Sequence, residues 1–283
     1  MKLTYKENIG IIGHPIGHSK SPIFQQVALD YHNIQEKFTA WDISDEELPK
    51  IVEHFKSKNF IASCITLPHK LNIMKYVDNL TETAKKVGAV NWIFNNKGKL
   101  TGHNTDCSGF IRSLKDQTGL NPNSKNALVF GAGGASRAIV YGLKISGINS
   151  ITISNRTIEN AEKIASDFSD KNFLVNVINF EKTQIDKVAS DVDLIVNTSS
   201  LGMTGGPAPN TSPIYSNSIR KSIVGYDIVY APIETPFLKE IKSSGGITGN
   251  GISMLVYQGI EGFEMATGLN APVEKMFEAF RKA

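Results

Sequence analysis

The chain has 283 residues with 30 Lys or Arg and 27 Asp or Glu, so its formal net charge of +3 gives no argument for nucleic-acid binding. An apolar content of 41% is typical of a folded globular protein, and neither a signal-peptide core nor an apolar run of membrane-spanning length is evident. The two cysteines, Cys64 and Cys107, lack the spacing of a disulfide framework or a zinc site. We therefore expect no metal, no membrane association and a reducing, cytoplasmic location.

The first third of the chain alternates strands and helices. The pattern predicts strands at residues 8–13, 37–42, 60–66, 89–94 and 99–103. It predicts helices at residues 21–31, 48–55, 70–76, 81–87 and 106–118. Ser21 is predicted to be the N-cap of the first helix because Pro22 suits the first helical position.

A polar run at residues 119–124 precedes a second unit of the same kind. Strands are predicted at residues 126–130, 150–154, 174–178, 194–197 and 223–227, and helices at 135–145, 158–168, 251–267 and 272–281. Strand–helix alternation predicts a parallel sheet that is covered on both faces. We expect two α/β domains with a cleft between them. One, with a mixed sheet, is formed by residues 1–106 with 250–283, and the other, Rossmann-like, by residues 107–249.

A glycine-rich turn joins the first predicted strand of the second unit to the following helix. Its residues are Gly131, Ala132, Gly133, Gly134 and Ala135. Glycines at this place let a pyrophosphate approach backbone N–H groups, and the helix N-terminus adds its positive dipole end. The turn therefore predicts dinucleotide binding, with a purely structural glycine turn as the alternative.

The next strand ends in a segment that indicates which dinucleotide is bound. Asn155, Arg156 and Thr157 stand where an NAD-specific fold would place an acidic residue for the ribose 2′-hydroxyl. A guanidinium suits a 2′-phosphate in charge and geometry, so the segment favours NADP over NAD. The alternatives are a surface arginine at Arg156 and a simple helix cap at Thr157.

Polar residues follow four strands of the first unit, where ligands collect in open α/β sheets. Ser19 and Ser21 could bind a carboxylate at a helix N-terminus, although Ser21 could also cap the helix. His18 is more simply interpreted as a structural histidine of that loop. Lys70 is a candidate general acid or a solvated lysine, and Asp106 either caps its helix or pairs with Lys70.

These motifs together resemble the shikimate dehydrogenase family. G-x-P-x-x-H-S-x-S-P, T-x-P-x-K, G-A-V-N, N-T-D, G-A-G-G-A-S-R-A and N-R-T occur in this order, and further matches extend to Gln258. The resemblance implies an NADP-dependent oxidoreductase that interconverts 3-dehydroshikimate and shikimate by hydride transfer, on the route to chorismate and the aromatic amino acids. It implies an N-terminal substrate-binding domain, a small-molecule substrate and no metal, and it leaves both a monomer and a homodimer open.

The resemblance also implies roles for individual residues. Lys70 and Asp106 match the catalytic pair. Positions that hold the substrate are matched by Ser19, Ser21, Thr66, Lys70, Asn91, Asp106, Tyr230 and Gln258. Positions that hold NADP are matched by Gly131, Ala132, Gly133, Gly134, Ala135, Asn155, Arg156, Thr157, Asn160, Met203, Ile228, Gly251 and Glu82.

Three residues depart from the family pattern. Cys64 replaces a usual Asn, and a thiol is a poor donor and acceptor, so the exact substrate stays open. Asn160 stands where many members have a second Arg, which leaves the 2′-phosphate to Arg156. Cys107 replaces a usual Gly. The alternatives are a dehydrogenase for quinate or an amino-shikimate, or a non-catalytic ligand-binding regulator, which the presence of Lys70 and Asp106 disfavours.

Overall fold

The computed structural model describes residues 6–282, which form two compact units. The first unit comprises the chain up to Asp106 together with the segment from Leu255 onward, and the second comprises Cys107–Met254. Each unit contains one six-stranded sheet, which confirms the predicted fold class of two α/β units. No helix within residues 6–282 has the length and apolar character needed to cross a bilayer.

Twelve strands and ten α-helices are formed by the described residues. The strands are β1 (Ile9–Gly13), β2 (Phe38–Asp42), β3 (Ala62–Ile65), β4 (Asn79–Leu80), β5 (Trp92–Asn96), β6 (Lys99–His103), β7 (Asn126–Phe130), β8 (Ser150–Asn155), β9 (Leu174–Asn179), β10 (Leu194–Asn197), β11 (Val224–Asp227) and β12 (Ile247–Gly249). The helices are α1 (Ser21–Tyr31), α2 (Leu48–Phe55), α3 (Glu82–Val87), α4 (Asp106–Thr118), α5 (Gly134–Ile145), α6 (Ile158–Phe168), α7 (Lys182–Ala189), α8 (Pro236–Ser243), α9 (Gly251–Thr267) and α10 (Val273–Lys282).

The sheet of the first unit is mixed, in the order β2-β1-β3-β5-β6-β4. β1 runs parallel to β2 and β3, whereas β5 is antiparallel to both β3 and β6. Ile11 and Ile12 of β1 contribute to different apolar clusters, because successive strand residues point to opposite faces. Both faces of the sheet are therefore buried, one with α1, α9 and α10 and the other with α2.

The sheet of the second unit is entirely parallel, in the order β12-β11-β10-β7-β8-β9. Val129 and Phe130 of β7 lie in separate apolar clusters, so this sheet is also covered on both faces. The chain builds outward from β7 through β8 and β9, and then returns to β10 on the other side. Ligands of open α/β sheets bind at such a switch point, beyond the carboxyl ends of the strands.

The structure differs from the sequence-based expectations in several elements. Ser21 is not the N-cap: Lys20 precedes α1 in a helical conformation, so Ser21 already lies in the first turn, and the N-cap prediction is wrong. The second unit extends to Met254, which packs in its apolar core. The elements β4, α7, α8 and β12 were not predicted.

Candidate functional site

The topology of the first sheet brings several predicted site residues to one edge. β5 is antiparallel to β3, with Trp92 opposite Cys64, so the start of β5 lies beside the end of β3. The end of β6 lies there too, since His103 is opposite Trp92. Residues that follow β3, precede β5 and follow β6 are therefore neighbours, although they are far apart in sequence.

Lys70 and Asp106 form a largely buried ion pair at this edge. The Lys70 Nζ donates a hydrogen bond to Asp106 Oδ2 at 2.5 Å, and the two side chains are 14% and 6% exposed. The Asn91 Nδ2 donates to the other carboxylate oxygen, Oδ1, at 3.0 Å. The alternative of a solvated Lys70 is thus wrong, and Asp106 both opens α4 and pairs with the lysine.

Gln258 of α9 joins the same hydrogen-bond network. Its Oε1 accepts from Trp92 Nε1 at 3.1 Å and from Asn91 Nδ2 at 3.3 Å. The Thr105 Oγ1 donates to the Gln258 main-chain oxygen at 3.0 Å and accepts from Asn91 Nδ2 at 2.9 Å. Trp92 and Thr105 were not predicted as part of the site. Both adjoin predicted residues in sequence, which was the available signal.

The first turn of α1 contains a buried hydroxyl that has no hydrogen-bond partner among the described residues. The Ser21 side chain is 2% exposed, and its Oγ has no hydrogen bond within the described part of the chain. Ser19 Oγ accepts from the Ser21 main-chain N–H at 3.3 Å. An unsatisfied buried hydroxyl is unfavourable, so this position is suited to a polar ligand group.

Thr66 follows β3 and packs closely on Gly13, the last residue of β1. A Cβ at Gly13 would lie 2.6 Å from Thr66 Cγ2, so only glycine allows this approach. The Thr66 main-chain N–H also donates to Ile12 O at 2.9 Å, which fixes the threonine at the same edge of the sheet.

Cys64 lies within β3, beside the Lys70–Asp106 pair. Its side chain is 4% exposed and belongs to an apolar cluster with Ile11 and Phe24. Burial raises the pKa of the thiol to about 12, with a smaller opposing effect of Lys70, so the thiol is neutral at physiological pH. A neutral buried thiol does not provide the strong hydrogen bonds of an amide.

The glycine turn of the second unit leaves a helix N-terminus open. Gly131 has φ +102°, and a Cβ there would lie 2.7 Å from Thr198 Oγ1, so glycine is required. Gly133 is the N-cap of α5, with no side-chain cap, and a Cβ added there would meet nothing within 4 Å. Ser136 Oγ donates to Gly131 O at 2.8 Å and holds the turn. These features fit a pyrophosphate bound by the first amides of α5.

The segment predicted to bind a 2′-phosphate follows the neighbouring strand. Phe130 of β7 is opposite Ser154 of β8, so Arg156 lies beside the glycine turn. Its side chain is exposed, and no carboxylate of residues 6–282 forms an ion pair with it. The Asn155 Nδ2 donates to Thr157 O at 2.7 Å, which orders the segment. Thr157 is the N-cap of α6 but makes no side-chain cap bond, and Asn160 is exposed in the first turn of that helix.

The remaining residues predicted for the second unit follow β10, β11 and β12. A Cβ at Gly251 would lie 1.9 Å from Ile228 O, so these two backbones are in direct contact. The Thr204 N–H donates to Ala231 O at 2.7 Å, which joins the loops that contain Met203 and Tyr230. Burial raises the pKa of the Tyr230 hydroxyl, which therefore stays protonated.

Glu82 stands apart from the other residues predicted to bind the cofactor, because it belongs to the first unit. It lies in the first turn of α3 and is exposed, and its Oε1 accepts from Lys85 Nζ at 2.8 Å. Hydrogen bonding to Lys85 holds the pKa of Glu82 below its usual value. This local ion pair gives Glu82 a structural explanation that needs no cofactor.

Comparisons with known proteins cover nearly the whole chain. A family described as "Shikimate dehydrogenase substrate binding domain" matches residues 11–93, and one described as "Shikimate / quinate 5-dehydrogenase" matches residues 113–203. A shikimate dehydrogenase (NADP(+)) of Methanococcus maripaludis is 41% identical over 94% of this chain and 93% of its own length.

Two solved structures are similar in fold as well. The crystal structure of a shikimate dehydrogenase in complex with NADP+ has a TM-score of 0.88 and 35% identity, covering 97% of this chain and 94% of that one. The shikimate 5-dehydrogenase of Thermus thermophilus, in complex with NADP(H) and shikimate, has a TM-score of 0.86 and 32% identity, covering 98% of this chain and 99% of that one.

Proposed function

This chain belongs to the shikimate dehydrogenase family, and we propose that it interconverts 3-dehydroshikimate and shikimate with NADP as the hydride carrier. The activity is that of an oxidoreductase on the route to chorismate and the aromatic amino acids. The observation that carries the proposal is the buried Lys70–Asp106 pair, with Asn91 on the second carboxylate oxygen.

Lys70 is proposed as the proton donor when the ketone is reduced. When bound, NADPH supplies the hydride to the carbonyl carbon. The Lys70 ammonium polarises the carbonyl oxygen and gives it a proton, and in the reverse direction the neutral amine takes the proton from the alcohol. Asp106 orients the ammonium through the 2.5 Å hydrogen bond, and Asn91 fixes the carboxylate. Acid–base chemistry and charge stabilisation are thereby supplied by side chains of the first unit.

The substrate carboxylate is proposed to bind Ser19 and Ser21. The buried Ser21 hydroxyl, which has no partner in the described part of the chain, supports this role, since it could donate a hydrogen bond to a carboxylate oxygen. Thr66, Asn91 and Gln258 lie near the ion pair and are proposed to hold the ring hydroxyls. Tyr230 belongs to the second unit, and its proposed contact with the substrate rests on the family resemblance.

The cofactor is proposed to bind the second unit. The uncapped N-terminus of α5 and the open space at Gly133 support a pyrophosphate at residues 131–135. The exposed Arg156, on the strand beside that turn, supports recognition of the 2′-phosphate. Met203, Ile228 and Gly251 are proposed for the nicotinamide end, and Glu82 has the least structural support. Both cysteines are free thiols, which supports the proposed cytoplasmic location.

Oxidation of quinate is the second candidate. The description of the family that matches residues 113–203 names both shikimate and quinate. Cys64 also lacks the amide with which the usual Asn could hydrogen-bond a ring substituent. NADP+ reduction measured with shikimate, quinate and an amino-shikimate side by side separates the candidates. The substrate with the highest kcat/KM identifies the activity.

The decisive test of the proposed mechanism is Lys70→Ala. We expect kcat to fall by ~10²–10⁴-fold with a much smaller change in KM, as is typical when a general acid is removed. Lys56→Ala is the matched control, because Lys56 is an exposed lysine of the same unit that pairs with Glu53. Activity of Lys70→Ala within a few-fold of wild type would contradict the role of Lys70.

A further inference from the structure

Asp227 has a fully buried carboxyl group that the proposed reaction does not use. It ends β11, and its side chain is 0% exposed. Its Oδ1 accepts from Asn197 Nδ2 and from the Val229 main-chain N–H, both at 3.0 Å, and its Oδ2 accepts from Thr235 Oγ1 at 2.6 Å. No Lys, Arg or His of residues 6–282 forms an ion pair with it. Hydrogen bonds alone therefore compensate for its burial.

Asn197 extends this network to the loop after β10. It lies opposite Asp227 in the parallel pairing of β10 with β11. Its Oδ1 accepts from the main-chain N–H and the Oγ of Ser199, at 3.1 and 2.6 Å, and its Nδ2 also donates to Leu201 O at 3.2 Å. The conformation of residues 198–203, which lead to Met203, thus depends on Asn197.

Thr235 extends the network to the far end of the loop after β11. It is the N-cap of α8, where its Oγ1 accepts from the Leu238 N–H at 3.3 Å while it donates to Asp227. Asp227 also receives the Val229 N–H at the near end of this loop. One carboxylate therefore holds both ends of residues 228–235, the segment that contains Ile228 and Tyr230.

We propose that Asp227 is a positioning residue: through Asn197 and Thr235 it holds the loops 198–206 and 228–235 in the arrangement that presents Met203 and Tyr230 to the reacting molecules. This inference rests on the proposed function, because that function places both loops at the nicotinamide and the substrate. If the partners of Asp227 lay on one element, the carboxyl group would hold that element alone. Asp227 instead connects two loops, which also contact each other through the Thr204–Ala231 hydrogen bond.

The test compares Asp227→Asn and Thr235→Val with Thr235→Ser, which keeps the hydroxyl. The first measurement is hydrogen exchange of the full chain without ligand. Loss of a buried hydrogen bond corresponds to about a tenfold change in a local equilibrium. We expect Asp227→Asn to speed exchange about tenfold in both loops, and Thr235→Val to do so in residues 228–235. Thr235→Ser should remain within twofold of wild type.

The second measurement is function, by calorimetric titration of NADP+ and by kcat and KM for shikimate. We expect Asp227→Asn and Thr235→Val to lower kcat/KM about tenfold. Asp227→Asn should also bind NADP+ more weakly, whereas Thr235→Ser should keep wild-type values. Unchanged exchange in either loop of Asp227→Asn would overturn the inference. Faster exchange with unchanged kcat, KM and NADP+ affinity would also overturn it, because the network would then be structural only.

The two proposals fail in different ways. A wild-type chain that does not reduce NADP+ with shikimate contradicts the proposed function. The inference fails when Asp227→Asn leaves hydrogen exchange unchanged in either loop, or speeds it without changing kcat, KM or NADP+ affinity. If Asp227→Asn does not fold, the comparison of Thr235→Val with Thr235→Ser decides the inference by the same measurements, because both variants keep the carboxylate.

Discussion

The buried Asp227 should make the stability of this protein depend on pH in an unusual direction. Burial raises the pKa of its carboxyl from an ordinary value of 3.8 to about 7, although hydrogen bonds from Thr235, Val229 and Asn197 act in the opposite direction. The folded protein therefore keeps this proton up to about pH 7, whereas the unfolded chain releases it near pH 4. Tyr226, the preceding residue, is the titratable neighbour, and burial raises the pKa of its hydroxyl, so it stays neutral.

The size of the effect follows from this difference in pKa. About three pH units, at about 1.36 kcal/mol for each unit, correspond to about 4 kcal/mol in the free energy of unfolding. The folded state binds more protons in this window, so the contribution is fully present below about pH 4 and is lost as the pH rises through about 7. Of this total, about 2–3 kcal/mol is lost between about pH 5 and pH 8.

The assay is urea unfolding of wild type and Asp227→Asn at pH 5, 6, 7 and 8. The amide does not titrate, so the free energy of unfolding should fall by about 2–3 kcal/mol more for wild type than for the variant over this range. Asp193→Asn is the matched control from the same unit. Despite partial burial, hydrogen bonding to Asn126 N–H and the charges of Lys125 and Arg220 hold the pKa of Asp193 below its usual value, so it is ionised throughout the range. Parallel pH profiles for wild type and Asp227→Asn would refute the reasoning.

Four further variants test the substrate assignment, the cofactor assignment and the glycine turn. Cys64→Asn should raise kcat/KM for shikimate, while the buried amide lowers the stability of the ligand-free protein by about 1–3 kcal/mol; a lower kcat/KM would indicate a pocket suited to another ring substituent. Arg156→Ala should lower the affinity for NADP at least about tenfold and leave the affinity for NAD nearly unchanged. An unchanged ratio of kcat/KM for the two cofactors would contradict the role of Arg156. Gly131→Ala should destabilise the fold by about 1–3 kcal/mol because of its φ of +102° and its contact with Thr198, as measured by urea unfolding. Its counterpart Gly133→Ala should leave stability nearly unchanged but lower the affinity for NADP in a binding titration. An NADP affinity equal to that of wild type would mean that the pyrophosphate binds elsewhere.

Much of the fold was predictable because the apolar pattern follows the strands and helices closely. The missed elements have identifiable causes. α7 buries only Ile185 and Ala189, so its amphipathic pattern is weak. α8 had a signal that could have been used, since Thr235 caps it and Pro236 occupies its first turn. The Ser21 N-cap was wrong because sequence does not reveal that the backbone of Lys20 is already helical.

The candidate site was predictable as a set of residues but not as an arrangement. Lys70 and Asp106 are 36 positions apart, and only the antiparallel placement of β5 between β3 and β6 brings them together. Asp227 shows even more clearly that the sequence does not reveal the arrangement of residues in space. In the sequence it is an acidic residue at the end of a predicted strand, which equally suits a ligand contact, a helix cap or an exposed turn. Its role depends on Asn197, 30 positions away, which faces it because β10 and β11 are parallel and in register, and on Thr235, the N-cap of α8. A buried carboxyl group is stable only where such partners converge, and here one comes from the pairing of β10 with β11 and two from the loop between β11 and α8.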